Sequence, residues 1–229
     1  MLFNYESDKF KDYKPIKSSE EIIGDVKIIR TTMSTKPGCW EVCKVDIFLK
    51  DELVAHFDHE YSRFPATILN NNSIYLISPT DTYMAGMVFD LISGKSVKLT
   101  PDNWCPASFY LSPCKNYLAV SGCYWACGYD ILTYIISDPL NPIFTGRYEK
   151  PRDISDISWN NEIMSFKHIA YTGLDGLCNE DPPWKAFDIL NGEVVSIPNK
   201  QFDDNEEYSS EFLANFQMTM SINTKQKND

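Results

Sequence analysis

One short pattern recurs along this chain at nearly even intervals. Val88-Phe89-Asp90-Leu91-Ile92-Ser93-Gly94-Lys95, Ile136-Ser137-Asp138-Pro139-Leu140-Asn141-Pro142 and Ala186-Phe187-Asp188-Ile189-Leu190-Asn191-Gly192-Glu193 each read as an apolar strand ending at Asp, a turn carrying Gly or Pro, and a second short strand. The aspartates lie 48 and 50 residues apart, and residues 46–57 place a similar hairpin, turning at Lys50-Asp51-Glu52, 44 residues before Asp90. A second hairpin alternates with the first at residues 69–78, 111–121 and 159–168, turning at Asn70-Asn71-Asn72, Ser112-Pro113-Cys114-Lys115-Asn116 and Asn160-Asn161-Glu162. Two alternating hairpins make four strands per repeat of about 40 to 50 residues, the period of a propeller blade. The spacing therefore predicts an all-β chain, a β-propeller-like array of about four four-stranded blades. No long helical period competes, residues 211–217 being the one short exception.

The run Leu111-Ser112-Pro113-Cys114-Lys115-Asn116-Tyr117-Leu118-Ala119-Val120-Ser121-Gly122 resembles the inner hairpin of WD-repeat propellers, and residues 88–99 are similar to that superfamily's strand, Asp, Gly-Lys turn and outer strand. The resemblance spans roughly residues 26–197. It departs from the pattern in having no Trp-Asp dipeptide, no Gly-His pair, and Cys114-Lys115 where Asp-Gly is usual. Residues 1–25 then read as an N-terminal extension and 26–200 as the propeller-like domain. Residues 201–229 read as an acidic linker followed by a closing strand or loose tail. The first repeat, starting near Val26, lacks an innermost strand in this reading; residues 212–222, with Phe216, Met218, Met220 and Ile222 alternating, fit that vacancy and would close the sheet edge.

Charge narrows the partners. With 32 acidic against 21 basic side chains the net charge is −11. Such a surface repels phosphate backbones, which argues against nucleic-acid and anionic-membrane binding. Glu6, Asp8 and Lys9 interrupt the stretch where an export signal needs apolar residues, and no run approaches the ~18 apolar residues of a membrane-spanning helix. The expectation is a cytoplasmic protein in a reducing setting. Its seven cysteines, an odd number, are then read as free thiols or metal ligands rather than disulfides.

Two of the cysteine motifs are duplicates. Gly38-Cys39-Trp40-Glu41-Val42-Cys43 recurs 84 residues later as Gly122-Cys123-Tyr124-Trp125-Ala126-Cys127, with Asp46-Ile47 and Asp130-Ile131 following at the same offset. In the repeat frame these pairs fall between the second and third strands of their blades. Cys39, Cys43, Cys123 and Cys127, with His59 nearby, are the candidate zinc ligands, since tetrahedral zinc takes paired Cys and His. The alternative, adopted here with no cofactor, is that the thiols pack as small hydrophobes beside aromatic rings. No Lys, Arg or His lies inside either motif to lower a thiol pKa.

The same loops carry Trp40, Tyr83, Trp104, Tyr124, Trp125 and Trp184, and clustered exposed aromatics are the usual anchors of a protein interface. There is no phosphate-binding Gly loop, no His-Glu-x-x-His and no nucleophile elbow. The strand-ending aspartates read as turn stabilisers. The sequence points to a non-enzymatic scaffold for a protein or peptide partner, with homo-oligomers compatible. The alternative is a metal-dependent propeller hydrolase or lyase with carboxylates at an axial channel, for which Asp153, Asp156 and His59 are candidates.

Overall fold

The computed structural model describes residues 1–124, 129–148, 154–160, 163–168, 184–188 and 193–197; beyond Tyr148 it describes side chains at Trp159, Ile163, Met164 and Ser165. These residues form four sheets in chain order. The first contains β1 (Phe3–Tyr5), β2 (Lys14–Ile23), β3 (Val26–Ser34), β4 (Val42–Leu49) and β5 (Glu52–His59), in the order β1-β5-β4-β3-β2. The second contains β6 (Thr67–Asn71), β7 (Ser73–Pro79), β8 (Gly86–Asp90) and β9 (Ser96–Lys98), in sequential order. The third contains β10 (Trp104–Leu111), β11 (Tyr117–Tyr124), β12 (Asp130–Ile135) and β13 (Ile143–Tyr148). The fourth contains β14 (Ile154–Asn160), β15 (Ile163–His168), β16 (Trp184–Asp188) and β17 (Glu193–Ile197), also sequential. One 3-10 turn, Asp8–Phe10, is the only helical element among the described residues. The chain is all-β, built of four successive blade-like antiparallel meanders.

The first sheet departs from the expectation that residues 1–25 form an extension and that the first blade is a strand short. β2 pairs antiparallel with β3 from Lys14 opposite Ser34 to Ile23 opposite Val26, and β1 adds in parallel to β5. The sheet thus has five strands, all supplied by residues 3–59. β2 escaped the sequence reading because all ten of its residues are exposed. With neither face buried, no hydrophobic alternation marks it. The proposed closing segment, residues 212–222, lies outside the described residues.

Two compact units divide the chain. The first and second sheets lie in one, together with Trp104–Phe109 of β10 and Gly122 to Tyr124 of β11; most of the third sheet and the fourth sheet lie in the other. In the first unit, Cys43, Val45 and Ile47 of β4 alternate inward with Ala55 and Phe57 of β5 and pack on Leu76, Phe89 and Leu91. Period-2 alternation delivers one apolar face per strand, and face-to-face burial of two such faces builds the core. Phe3 meets Phe89 edge-on at 4.9 Å, and Tyr5 stacks on Phe57 at 5.3 Å, so the N-terminal strand is welded in by its rings. In the second unit Ala119, Ile131 and Met164 form the buried cluster, flanked by Tyr110, Tyr117, Tyr148 and Trp159.

The repeated aspartate behaves as its position suggests. Asp90 ends β8 and accepts from Ile92 N–H (3.0 Å), Ser93 N–H (3.1 Å), Ser93 Oγ (2.6 Å) and Ser73 Oγ (2.7 Å). Burial pushes its carboxyl up, but the Ser93 and Ser73 hydroxyls and these two amides outweigh it and hold the pKa low. Gly94, at φ 71°, then returns the chain into β9.

Candidate functional site

Three connections of the first unit are tied to one another: residues 35–41 between β3 and β4, 60–66 between β5 and β6, and 80–85 between β7 and β8. Ser34 Oγ donates to the carbonyls of Lys36 (2.9 Å) and Trp40 (3.2 Å), which folds the first connection back on its strand. Trp40 Nε1 donates to the Glu60 carbonyl at 2.7 Å, and its ring lies 5.8 Å from that of Tyr61, tilted by 54°. Glu60 N–H in turn donates to Asp81 Oδ1 at 3.0 Å, an atom that also caps Thr82 N–H at 2.6 Å. Lys9, just after the 3-10 turn begins, pairs with the Glu60 carboxylate. A chain of polar contacts therefore runs from Trp40 through Glu60 to Asp81.

On this framework stand exposed rings. Trp40 is 59% exposed and Tyr61 47%, with Tyr83 and Met84 also exposed on the third connection. A tryptophan pinned through its indole N–H while most of its ring meets solvent is pre-organised as a contact surface.

The other aromatic candidates fare differently. Trp104 is a correction: expected on the interaction face, it is fully buried. It opens β10 and lies against Gly122, where a Cβ would sit 2.7 Å from its Cη2 and Cζ3. A bulky apolar ring beside a missing side chain fills core volume and offers no surface to a partner. Tyr124 ends β11 half-buried. Trp184 begins β16, with only its backbone described, and Trp125 lies outside the described residues. Tyr61 and Met84 were missed because neither belongs to a repeated motif.

Among the zinc candidates, the structure brings Cys43 and His59 directly opposite one another across β4 and β5. Cys43 is fully buried, and burial pushes its thiol up to about 11, against a small opposing pull from Arg30. His59 Nδ1–H donates to the Tyr61 carbonyl at 3.0 Å, which leaves Nε2 to accept from Thr82 Oγ1 at 3.3 Å. Burial holds its pKa below the ordinary value, so the ring is neutral and both nitrogens are used. Cys39 is half-buried on its connection and Cys123 half-buried in β11 rather than in a loop. Cys127 lies outside the described residues, as do Asp153 and the Asp156 side chain. Among the described residues no three His, Cys, Asp or Glu side chains gather as a metal site.

A second polar group went unread in the sequence. On the opposite face of β4 and β5 from the core, Lys44 pairs with Asp58 and Asp46 with His56 in register. His56 Nδ1–H donates to Asp46 Oδ1 at 2.7 Å, and Nε2–H approaches Asp58 Oδ1 at 3.3 Å. Hydrogen bonds to Asp46 and then Asp58 outweigh burial and raise the His56 pKa to about 9, so the ring is a cation at neutral pH. Burial pushes Asp58 up, but His56, the Ser7 N–H at 2.7 Å and Lys44 at 3.7 Å together keep it low. The signal was present as two period-2 pairs, Lys44-x-Asp46 and His56-x-Asp58, separated by a turn. These groups saturate each other and anchor the N-terminal segment at Ser7.

No protein-family model matches the chain. An uncharacterized protein of Acanthamoeba polyphaga mimivirus is 26% identical over 142 residues, covering 58% of this chain and 57% of its own length. The chain thus spans a little over half of that relative. Among solved structures it is similar to the acylaminoacyl peptidase of Pyrococcus horikoshii, at TM-score 0.49 and 11% identity, covering 83% of this chain and 33% of that one. It is also similar to hydrazine synthase of Kuenenia stuttgartiensis, at TM-score 0.43 and 12% identity, covering 81% and 65%. The Swd1 β-propeller domain of Myceliophteria thermophila gives TM-score 0.35 and 11% identity, covering 75% and 57%. The fold assignment rests on the strand order of the four sheets. No helix among the described residues is long and apolar enough to cross a membrane.

Proposed function

We propose that this chain is a propeller-type interaction module of WD-repeat-like kind, binding a protein or peptide partner through the connections that carry Trp40, Tyr61, Tyr83 and Met84. The observation that carries this reading is the Trp40–Tyr61 pair: two large, adjacent, exposed rings held in place by the Trp40 Nε1 bond to the Glu60 carbonyl. Aromatic anchors of this kind concentrate binding free energy, and pre-ordering reduces the entropy lost on association. The polar groups beside them support binding over catalysis. Glu60, Asp81, Thr82 and His59 bond to one another or to backbone and hold the loops in shape.

The test is affinity capture with purified full-length protein as bait, comparing wild type, the Trp40→Ala plus Tyr61→Ala double variant, and an Ile22→Ser control on β2. Partners recovered by wild type and control should be lost with the double variant at unchanged thermal stability. Equal recovery by all three baits would reject this face.

A further inference from the structure

β2 is an end strand of its sheet, paired with β3 on one side and exposed along all ten residues. The turn that leaves it fixes its backbone bonding. Only Gly24 and Asp25 separate Ile23 from Val26, so these two flank a two-residue hairpin and exchange their backbone bonds. Successive residues of a strand aim their N–H and C=O groups to opposite sides. Glu21, Ser19 and Lys17 therefore bond toward β3 as Ile23 does, while Ser18, Glu20 and Ile22 aim their groups out of the sheet. The bulge at Ile16 and the missing N–H of Pro15 end this open edge at Lys17.

An open edge of this length is a template for another strand, and its side chains select which one. The chain as a whole is strongly acidic, at −11, yet β2 is balanced, with Lys14 and Lys17 ahead of Glu20 and Glu21. Bases at one end and acids at the other complement a copy of the same strand running the opposite way. A parallel copy in register would set Lys17 against Lys17 and Glu21 against Glu21. In an antiparallel copy, outward-aimed residues must meet outward-aimed residues, so the twofold axis passes through a residue and not between two. Placed on Lys17, Glu20 or Glu21, the axis sets that charge against itself. Placed on Ser18, it leaves Lys17 opposite Ser19 and turns both glutamates toward the bulged end. Placed on Ser19, it sets Lys17 of each copy opposite Glu21 of the other, and Ile22 opposite Ile16. Those isoleucines are 67% and 54% exposed, and Arg30 holds Glu21 at 2.7 Å on the face where Lys17 arrives.

We propose that β2 is a homodimerisation edge, to which a second copy of this chain adds antiparallel about a twofold axis at Ser19. Ser18 and Glu20 of each copy exchange backbone bonds with Glu20 and Ser18 of the other. The alignment uses both open edges, so the pairing stops at two chains.

Sedimentation velocity of the full-length protein over a range of concentrations should show the mass rising from one chain toward two. Lys17→Glu meets Glu21 of the other copy with a like charge at both ends, and should raise the dissociation constant about tenfold or more. Glu20→Pro removes an outward N–H that β3 does not use, so it should keep the circular dichroism spectrum and abolish the dimer. Cysteine substitution reads the register. At the axis the two Ser19 Cα atoms stand about 4.5 Å apart, so Ser19→Cys should oxidise to a dimer linked through the introduced thiols, mapped by mass spectrometry. Ser18→Cys and Glu20→Cys, which do not face themselves, should link far less. A wild type that stays a single chain at every concentration, dimerisation unchanged by Lys17→Glu or Glu20→Pro, or equal linkage at all three positions would overturn the proposal. Partner capture is a separate question: Ile22→Ser should weaken the dimer and leave capture by the Trp40–Tyr61 face intact, and the Trp40→Ala plus Tyr61→Ala variant should do the reverse.

Discussion

Asp46 stands opposite His56, with 2.7 Å between Oδ1 and Nδ1, because one residue bulges out of β5. The hairpin turns tightly at Lys50 and Asp51, and Leu49 pairs Glu52, Phe48 pairs Leu53. Without interruption Asp46 would then face Ala55. The register shifts between Ile47 and Phe48, leaving Val54 unpaired, so that Ile47 pairs Ala55 and Asp46 pairs His56. A one-residue slip exchanges the two faces of a strand, and here it sends Phe57 into the core and His56 into the polar cluster.

That cluster makes stability depend on alkaline pH. His56 titrates at about 9 in the folded chain against an ordinary 6.5, so its contribution is full below about 6.5 and is lost as pH rises through 9. Urea midpoints measured from pH 7 to 10 should fall for wild type, by the equivalent of about 1–2 kcal/mol given partial exposure. The His56→Gln variant should start lower and show a flatter profile. Parallel profiles would mean that His56 is not the titrating group.

Gly122 has no room for a side chain. Gly122→Ala must displace both the Cys105 carbonyl and the buried Trp104 ring, and should cost about 2–4 kcal/mol in chemical denaturation. Adding Trp104→Leu should recover part of that loss, since it clears the ring from the Cβ position.

The Lys50-Asp51 turn uses two residues in the left-handed region, at φ 49° and 67°. Replacing them by Asn-Gly, which favours this conformation, should raise stability by about 0.5–1 kcal/mol. Loss of the exposed Lys27–Asp51 pair at 3.0 Å offsets little of it. A thermal scan showing lower stability would contradict the assignment of a strained turn.

Asp90→Ala should cost about 2 kcal/mol, because it removes the acceptor for two amides and two hydroxyls at a buried turn. Asp90→Asn should cost less, since its amide oxygen still accepts. Equal losses would mean that the carboxylate's charge, rather than its geometry, is what the turn uses.

The sequence alone determined the architecture, because alternating hairpins and their spacing are local properties. A turn at Asn70-Asn71-Asn72 or an aspartate before Ser93-Gly94 acts within a few residues, and four such sets predict four meanders whatever lies around them. The same locality is why Trp104 could not be told from Trp40. Both are tryptophans beside connections, and only the tertiary structure placed one against Gly122 and left the other on the surface. β2 was hidden for a related reason: a strand with both faces in water has no pattern to read. The site was legible in part, Trp40 and Tyr83 among its proposed anchors, but Tyr61 joined it through the contacts of Trp40 with Glu60 and Tyr61, between loops distant in the chain. The pairing of Asp46 with His56 was decided by register. That register depends on a bulge at Val54. It is a contact between strands and cannot be read from one strand alone.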